Sequence, residues 1–74
     1  MNPYVYVSVM SDPSEGETLV YFFDGARRAD LRTHEAVIEA INEALKTRDV
    51  KFSHSAQTDL GLPFDHYKKG QTIT

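Results

Sequence analysis

Tyr4-Val5-Tyr6-Val7-Ser8-Val9-Met10, followed after a loop by Thr18-Leu19-Val20-Tyr21-Phe22-Phe23, decides how this 74-residue chain is read. Both runs are rich in β-branched and aromatic residues, which predicts two strands. Successive side chains of a strand point to opposite faces. Tyr4, Tyr6 and Met10 therefore share one face of the first strand, and Val5, Val7 and Val9 the other. Both sets are apolar, yet the chain contains one convincing helix to cover them. The second face must be covered by the C-terminal tail, by a second copy or by a partner, because large apolar patches rarely stay exposed.

Working outward, Ser11 to Glu17 reads as a loop carrying Pro13 and Gly16. Asp24-Gly25 offers a type I′ turn, which requires positive φ at both positions. A hairpin then returns through Ala26 to Leu31, with Phe23 opposite Ala26, Phe22 opposite Arg27 and Tyr21 opposite Arg28. Directly opposed residues share a face. We expect Val20 and Phe22 to join the valines, and Tyr21, Phe23 and Arg28 to join Tyr4, Tyr6 and Met10. A slip of one residue would exchange these sets.

Thr33 to Lys46 reads as a helix, with Thr33 as N-cap and Glu35 in the first turn, where the helix dipole favours an anion. Val37, Ile38, Ile41, Ala44 and Leu45 form one apolar stripe at helical spacing. Val50 and Phe52, alternating with Lys51 and Ser53, predict a further short strand. Beyond His54 the pattern weakens, but Leu60, Leu62, Phe64, Tyr67 and Ile73 are too apolar for a solvated tail, so residues 54–74 should dock. The expected fold is α+β: a single domain over residues 1–74, with an antiparallel sheet of three to four strands in β-β-β-α-β order. One amphipathic helix should pack on the valine face.

The chain has no cysteine, which excludes disulfides, thiolate nucleophiles and cysteine-ligated metal sites. Its net charge is −3, unfavourable for phosphate backbones, so direct nucleic-acid binding is not expected. The start of the chain has neither a basic lead nor a long apolar run, so no signal peptide or membrane span is expected. The expected location is cytoplasmic, in a bacterial cell or an infected host cell.

No catalytic motif emerges. Ser53-His54-Ser55 and Asp65-His66 supply the residue types of a hydrolytic triad, but no nucleophile-elbow glycine pattern accompanies them. His54, Asp65 and His66 match no metal-ligand spacing. Glu35, Glu39 and Glu43 form a ladder of like charge suited to a solvated helix face. The glycines are scattered and make no phosphate-cradling loop. The expectation is a protein without enzymatic activity, cofactor or metal.

The order Tyr-x-Val-x-Val, loop, Leu19-Val20-Tyr21-Phe22-Phe23-Asp24, then Thr33-x-Glu35-Ala36 opening a helix, resembles the HicB-type antitoxin domain over residues 4–45. It lacks the glycine-rich segment before that family's helix. The resemblance implies an architecture. In size, acidity and lack of cysteine, the chain is similar to the small proteins with which phages and mobile elements block host defence complexes, anti-CRISPRs among them. The function expected is protein binding that occludes such a complex. The anchors expected are Tyr4, Tyr6, Tyr21, Phe23 and Arg28, since aromatics and Arg dominate binding hot spots. The acidic loop of Asp12, Glu15 and Glu17 would steer the chain to a basic surface. An antitoxin-type domain, an oligomeric small-nucleotide-binding protein and a homodimer are the alternatives.

Overall fold

The computed structural model describes residues 3–74, apart from the side chain of Glu15. Its strands are β1 (Tyr4–Asp12), β2 (Thr18–Phe23), β3 (Ala26–Arg28), β4 (Asp49–Phe52) and β5 (His66–Tyr67). Its helices are α1 (His34–Leu45) and α2 (His54–Leu60), and a 3₁₀ turn spans Pro13–Glu15. The fold is α+β with a single mixed sheet in the order β3-β2-β1-β4-β5. β1 pairs antiparallel with β2 but parallel with β4, and β5 adds antiparallel to β4. The expected all-antiparallel sheet of three to four strands with one helix is therefore corrected. The reason lies in α1: a helix laid along the sheet returns the chain to the end from which it came, so β4 runs in the same direction as β3.

The β2–β3 hairpin forms in the expected register, Tyr21 opposite Arg28 and Phe23 opposite Ala26. Asp24 and Gly25 both have positive φ, 52° and 81°, as a type I′ turn demands. Asp24 also extends the ladder beyond the last β1–β2 pair. Its amide donates to Tyr6 O at 2.8 Å, and its Oδ1 accepts from the Tyr6 amide at 2.8 Å.

Thr33 caps α1 as expected, its Oγ1 accepting from the Ala36 amide at 3.1 Å. The stripe of α1 buries Val37, Ile41 and Leu45, with Ile41 fully inaccessible. These join Val5, Val7, Val9, Val50 and Phe52 in one core cluster. α2, a second helix that the sequence reading did not separate from the tail, is capped by Ser53 and adds Ala56 and Leu60 to the same core. Both helices thus lie on the valine face, α1 chiefly over β4 and α2 over β1.

Residues 61–74 are fastened from several directions. Asn42 Nδ2 donates to Ile73 O at 2.9 Å while Asn42 Oδ1 accepts from the Ile73 amide at 2.8 Å, so a helix side chain imitates a strand neighbour. Ile73 itself is buried in the core. The Gly70 amide donates to Leu45 O at 2.8 Å, satisfying one of the carbonyls left open at the end of α1. Asp49 accepts from the Lys69 amide at 2.8 Å and lies 3.2 Å from His66 Nε2. Those bonds, the Lys69 amide first and His66 second, hold the Asp49 carboxyl below its ordinary pKa.

Two outcomes follow from this packing. Ile41→Asp places an unpaired charge in the fully buried helix–sheet contact and should abolish the cooperative thermal transition. Asn42→Ala removes two backbone bonds at once. It should cost about 1–3 kcal/mol in chemical denaturation, at ~0.5–1.5 kcal/mol per bond. It should also raise amide hydrogen exchange at Ile73 before that of β1.

Candidate interaction surface

The β1–β2 register decides which residues share a face. Val7 stands opposite Phe23 and Val9 opposite Tyr21, while Met10 stands opposite Val20 and Ser8 opposite Phe22. Tyr21, Phe23 and Arg28 therefore lie on the helix-covered face with the valines. Val20 and Phe22 lie on the other, with Tyr4, Tyr6 and Met10. The expected set of five anchors is split, Tyr4 and Tyr6 on one side and Tyr21, Phe23 and Arg28 on the other. Both strands are apolar at nearly every position, so hydrophobic pattern alone cannot choose between the two registers.

The face carrying Tyr4 and Tyr6 has no helix over it. Met10 is 53% exposed and Tyr6 42%, and Tyr4 and Phe22 are partly exposed. Val20 is buried between its strand neighbours here and stands outside the core cluster. The tail does not close this face, because Ile73 docks among the residues beneath the helices. Lys51, opposite Tyr6 in the β1–β4 pairing, lays its ammonium 4.4 Å from the centroid of the Tyr4 ring. Such a cation–π contact holds the ring and the ammonium together. Phe22, Lys51 and, by the register, Arg27 opposite Phe22 and His66 opposite Lys51 are members of this surface that the sequence reading missed.

The three residues on the covered face have structural partners. Arg28 makes a paired contact with Asp30, Nε to Oδ1 and Nη2 to Oδ2 at 3.0 Å each, and lies 5.4 Å from the Phe23 ring centroid. Phe23 packs against the core. Tyr21 is 5% exposed, and its hydroxyl donates to Asp59 Oδ2 on α2. Burial first, then that bond and the Asp59 charge, push the Tyr21 phenol well above its ordinary value of 10.0.

The loop acids do not act as a group. Asp12 accepts from the Ser14 amide at 3.0 Å and from Ser14 Oγ at 2.6 Å, and it pairs with Arg27 at 2.8 Å. These contacts, Ser14 foremost, hold its carboxyl below the ordinary range. Asp12 thus closes the 3₁₀ turn and ties β1 to β3. Glu17 is exposed with φ 66°. The side chain of Glu15 lies outside the described residues.

The residues weighed for catalysis are dispersed. Ser53 is the cap of α2, His54 is exposed at its first turn, and His66 stands beside Asp49 on β5. Among the described residues, no three or more His, Asp or Glu side chains are grouped to share a metal ion. No described helix is long and apolar enough to cross a membrane. No family model matches this chain, and comparison with curated proteins and with solved structures returns no match.

The Tyr21 phenol supplies a test of this face assignment. A folded-state pKa raised above the unfolded value of 10.0 gives stability that is complete below about pH 10. That stability is lost as pH rises toward the folded value. The denaturation free energy of the wild type should fall more steeply above pH 10 than that of Tyr21→Phe, which lacks the proton. Parallel curves would place Tyr21 in solvent.

Proposed function

We propose that this protein acts without catalysis, binding a protein partner through the uncovered face of its sheet. We take it to be an inhibitor of the phage or mobile-element kind that occludes a bacterial defence complex. The observation that carries the reading is asymmetry. Two helices and the tail are gathered on one face of the sheet, while Tyr4, Tyr6, Met10 and Phe22 stand open on the other. A sheet face with aromatic anchors, a thioether that adapts to its neighbour, a lysine held over one ring and an arginine paired with Asp12 has the composition of a binding hot spot.

The size of the face bears on its occupant. Strands spaced ~4.8 Å apart and rising ~3.3 Å per residue present roughly 500 Å² here, given the short edge strands. Two copies stacked face to face would bury about 1,000 Å² in all, the lower limit for a specific interface. A larger partner that also grips the rim buries more, and the net charge of −3 favours one with basic flanks.

The test is a photo-crosslinking residue placed at position 6 and, as a control, at position 39 on the solvent side of α1. A protein captured in bacterial cells from position 6 alone, and bound by the purified chain, is the partner. Tyr6→Ser with Met10→Ser should weaken that binding at least tenfold, about 1.4 kcal/mol. Stability should change by no more than ~1 kcal/mol, because both residues are already half exposed. Crosslinks between copies, with a dimeric mass, would assign the face to self-association. Full binding by the double variant would remove the site.

A further inference from the structure

On the opposite side of the molecule, the helix layer leaves a gap. With α1 chiefly over β4 and α2 over β1, neither helix lies chiefly over β2, the next strand outward in the sheet. There a groove of about 440 Å³, open to solvent on one side, runs between the first turn of α1 and the end of α2. Its apolar lining comes from Leu19, Leu31, Val37 and Leu60, with the edge of Tyr21. Leu19 is 48% exposed, a large aliphatic side chain left in solvent beside a concave surface.

Two opposite charges stand on this lining. Arg32 uses Nε to donate to Ala29 O at 3.3 Å, and its terminal nitrogens have no ion-pair partner among the described residues. Asp59 accepts the Tyr21 hydroxyl on Oδ2, which leaves Oδ1 without a partner among the described residues. His34 and Thr33 also line the groove, and the neighbouring Arg28 is engaged by Asp30. Tyr21 holds the Asp59 carboxylate in place, so its free oxygen is presented in a defined position. The guanidinium suits a carboxylate and the carboxylate an ammonium, each through charge-assisted hydrogen bonds.

We propose that this groove binds a short free peptide with apolar side chains, or the corresponding amino acid. The ammonium is held by Asp59, the carboxylate by Arg32, and the aliphatic body lies against Leu19 and Leu31. The ligand class follows from the arrangement of one anion and one cation around an apolar floor. Neither a simple anion nor a simple cation would use both. This site shares no residue with the open sheet face and stands or falls independently of it.

Nuclear magnetic resonance titration of the full chain with leucine, dileucine and trileucine tests the proposal, the three lengths reading the span between the charges. One length should shift the amides of Leu19, Tyr21 and Leu31 saturably, and acetylating its amine or amidating its carboxylate should each weaken binding about tenfold. Asp59→Asn, which can still accept the Tyr21 hydroxyl, should erase the penalty for acetylation alone. Arg32→Gln should erase the penalty for amidation alone. Amide spectra of both variants verify that they are folded. Absence of saturable shifts at the groove up to about 10 mM ligand would overturn the proposal, since that corresponds to less than ~3 kcal/mol of binding. Equal affinity for capped and uncapped ligands would overturn it too, because the charges would then play no part.

Discussion

Because Val9 faces Tyr21 and Val7 faces Phe23, the valines, Tyr21 and Phe23 form one surface, and both helices and the tail settle on it. Every other placement depends on that pairing. It sends the Tyr21 hydroxyl to Asp59 and turns Arg28 toward Phe23 and Asp30. It also leaves Phe22 beside Tyr6 and Met10 on the uncovered side. A shift of one residue between β1 and β2 would bury Phe22 and expel Tyr21, exchanging the core with the surface. Asp24 guards against that slip. Its exchange of two hydrogen bonds with Tyr6 fixes the first residue beyond the ladder, and its ion pair with Arg48 links the turn to the end of the α1–β4 connection.

Much of this was legible in the chain, and the parts that were not have identifiable causes. The two N-terminal strands, the Asp24-Gly25 turn and the Thr33-capped helix each carry a local signal stronger than their context: alternation, a pair tolerant of positive φ, and an N-cap before an apolar stripe. The face assignment failed because apolar residues occupy both alternating sets. A cue was present nonetheless. Five residues, Pro13 to Glu17, separate the paired ends Asp12 and Thr18. An odd number of connecting residues, with no bulge, puts odd-numbered residues opposite odd-numbered ones. Val9 must then face Tyr21 and cannot face Val20. The direction of β4 was likewise implied, since a strand that follows a helix laid back across the sheet runs parallel to the strand before the helix. α2 is seven residues long, with only Ala56 and Leu60 buried. That is too short for a periodic pattern to stand out from the loop around it.

The tail explains how a domain this small dispenses with disulfides. A chain of 74 residues without cysteine has little core to spare. Here the tail adds Ile73 to the core and supplies hydrogen-bond partners for Asn42, for Asp49 and for the open end of α1. The side chains of Asn42 on α1 and Asp49 on β4 spend bonding capacity on the backbone of Ile73 and Lys69. The Asn42–Ile73 bonds, which are part-buried, count for more than their net energy, because leaving those groups unpaired would cost their full desolvation.

The same economy sets where binding can occur. A helix layer of two helices cannot cover both faces of a five-stranded sheet, nor the whole of one. The uncovered face, with aromatic and thioether groups and a lysine held over the Tyr4 ring, is the surface proposed to meet a protein partner. The gap over β2 is a groove open to solvent, with Arg32, Asp59 and His34 on its lining, and is the place proposed for a small ligand. The two surfaces lie on opposite sides of β2. Val20 and Phe22 on one side alternate with Leu19 and Tyr21 on the other. The backbone of β2 thus carries an aromatic of the open face on one side and part of the groove lining on the other.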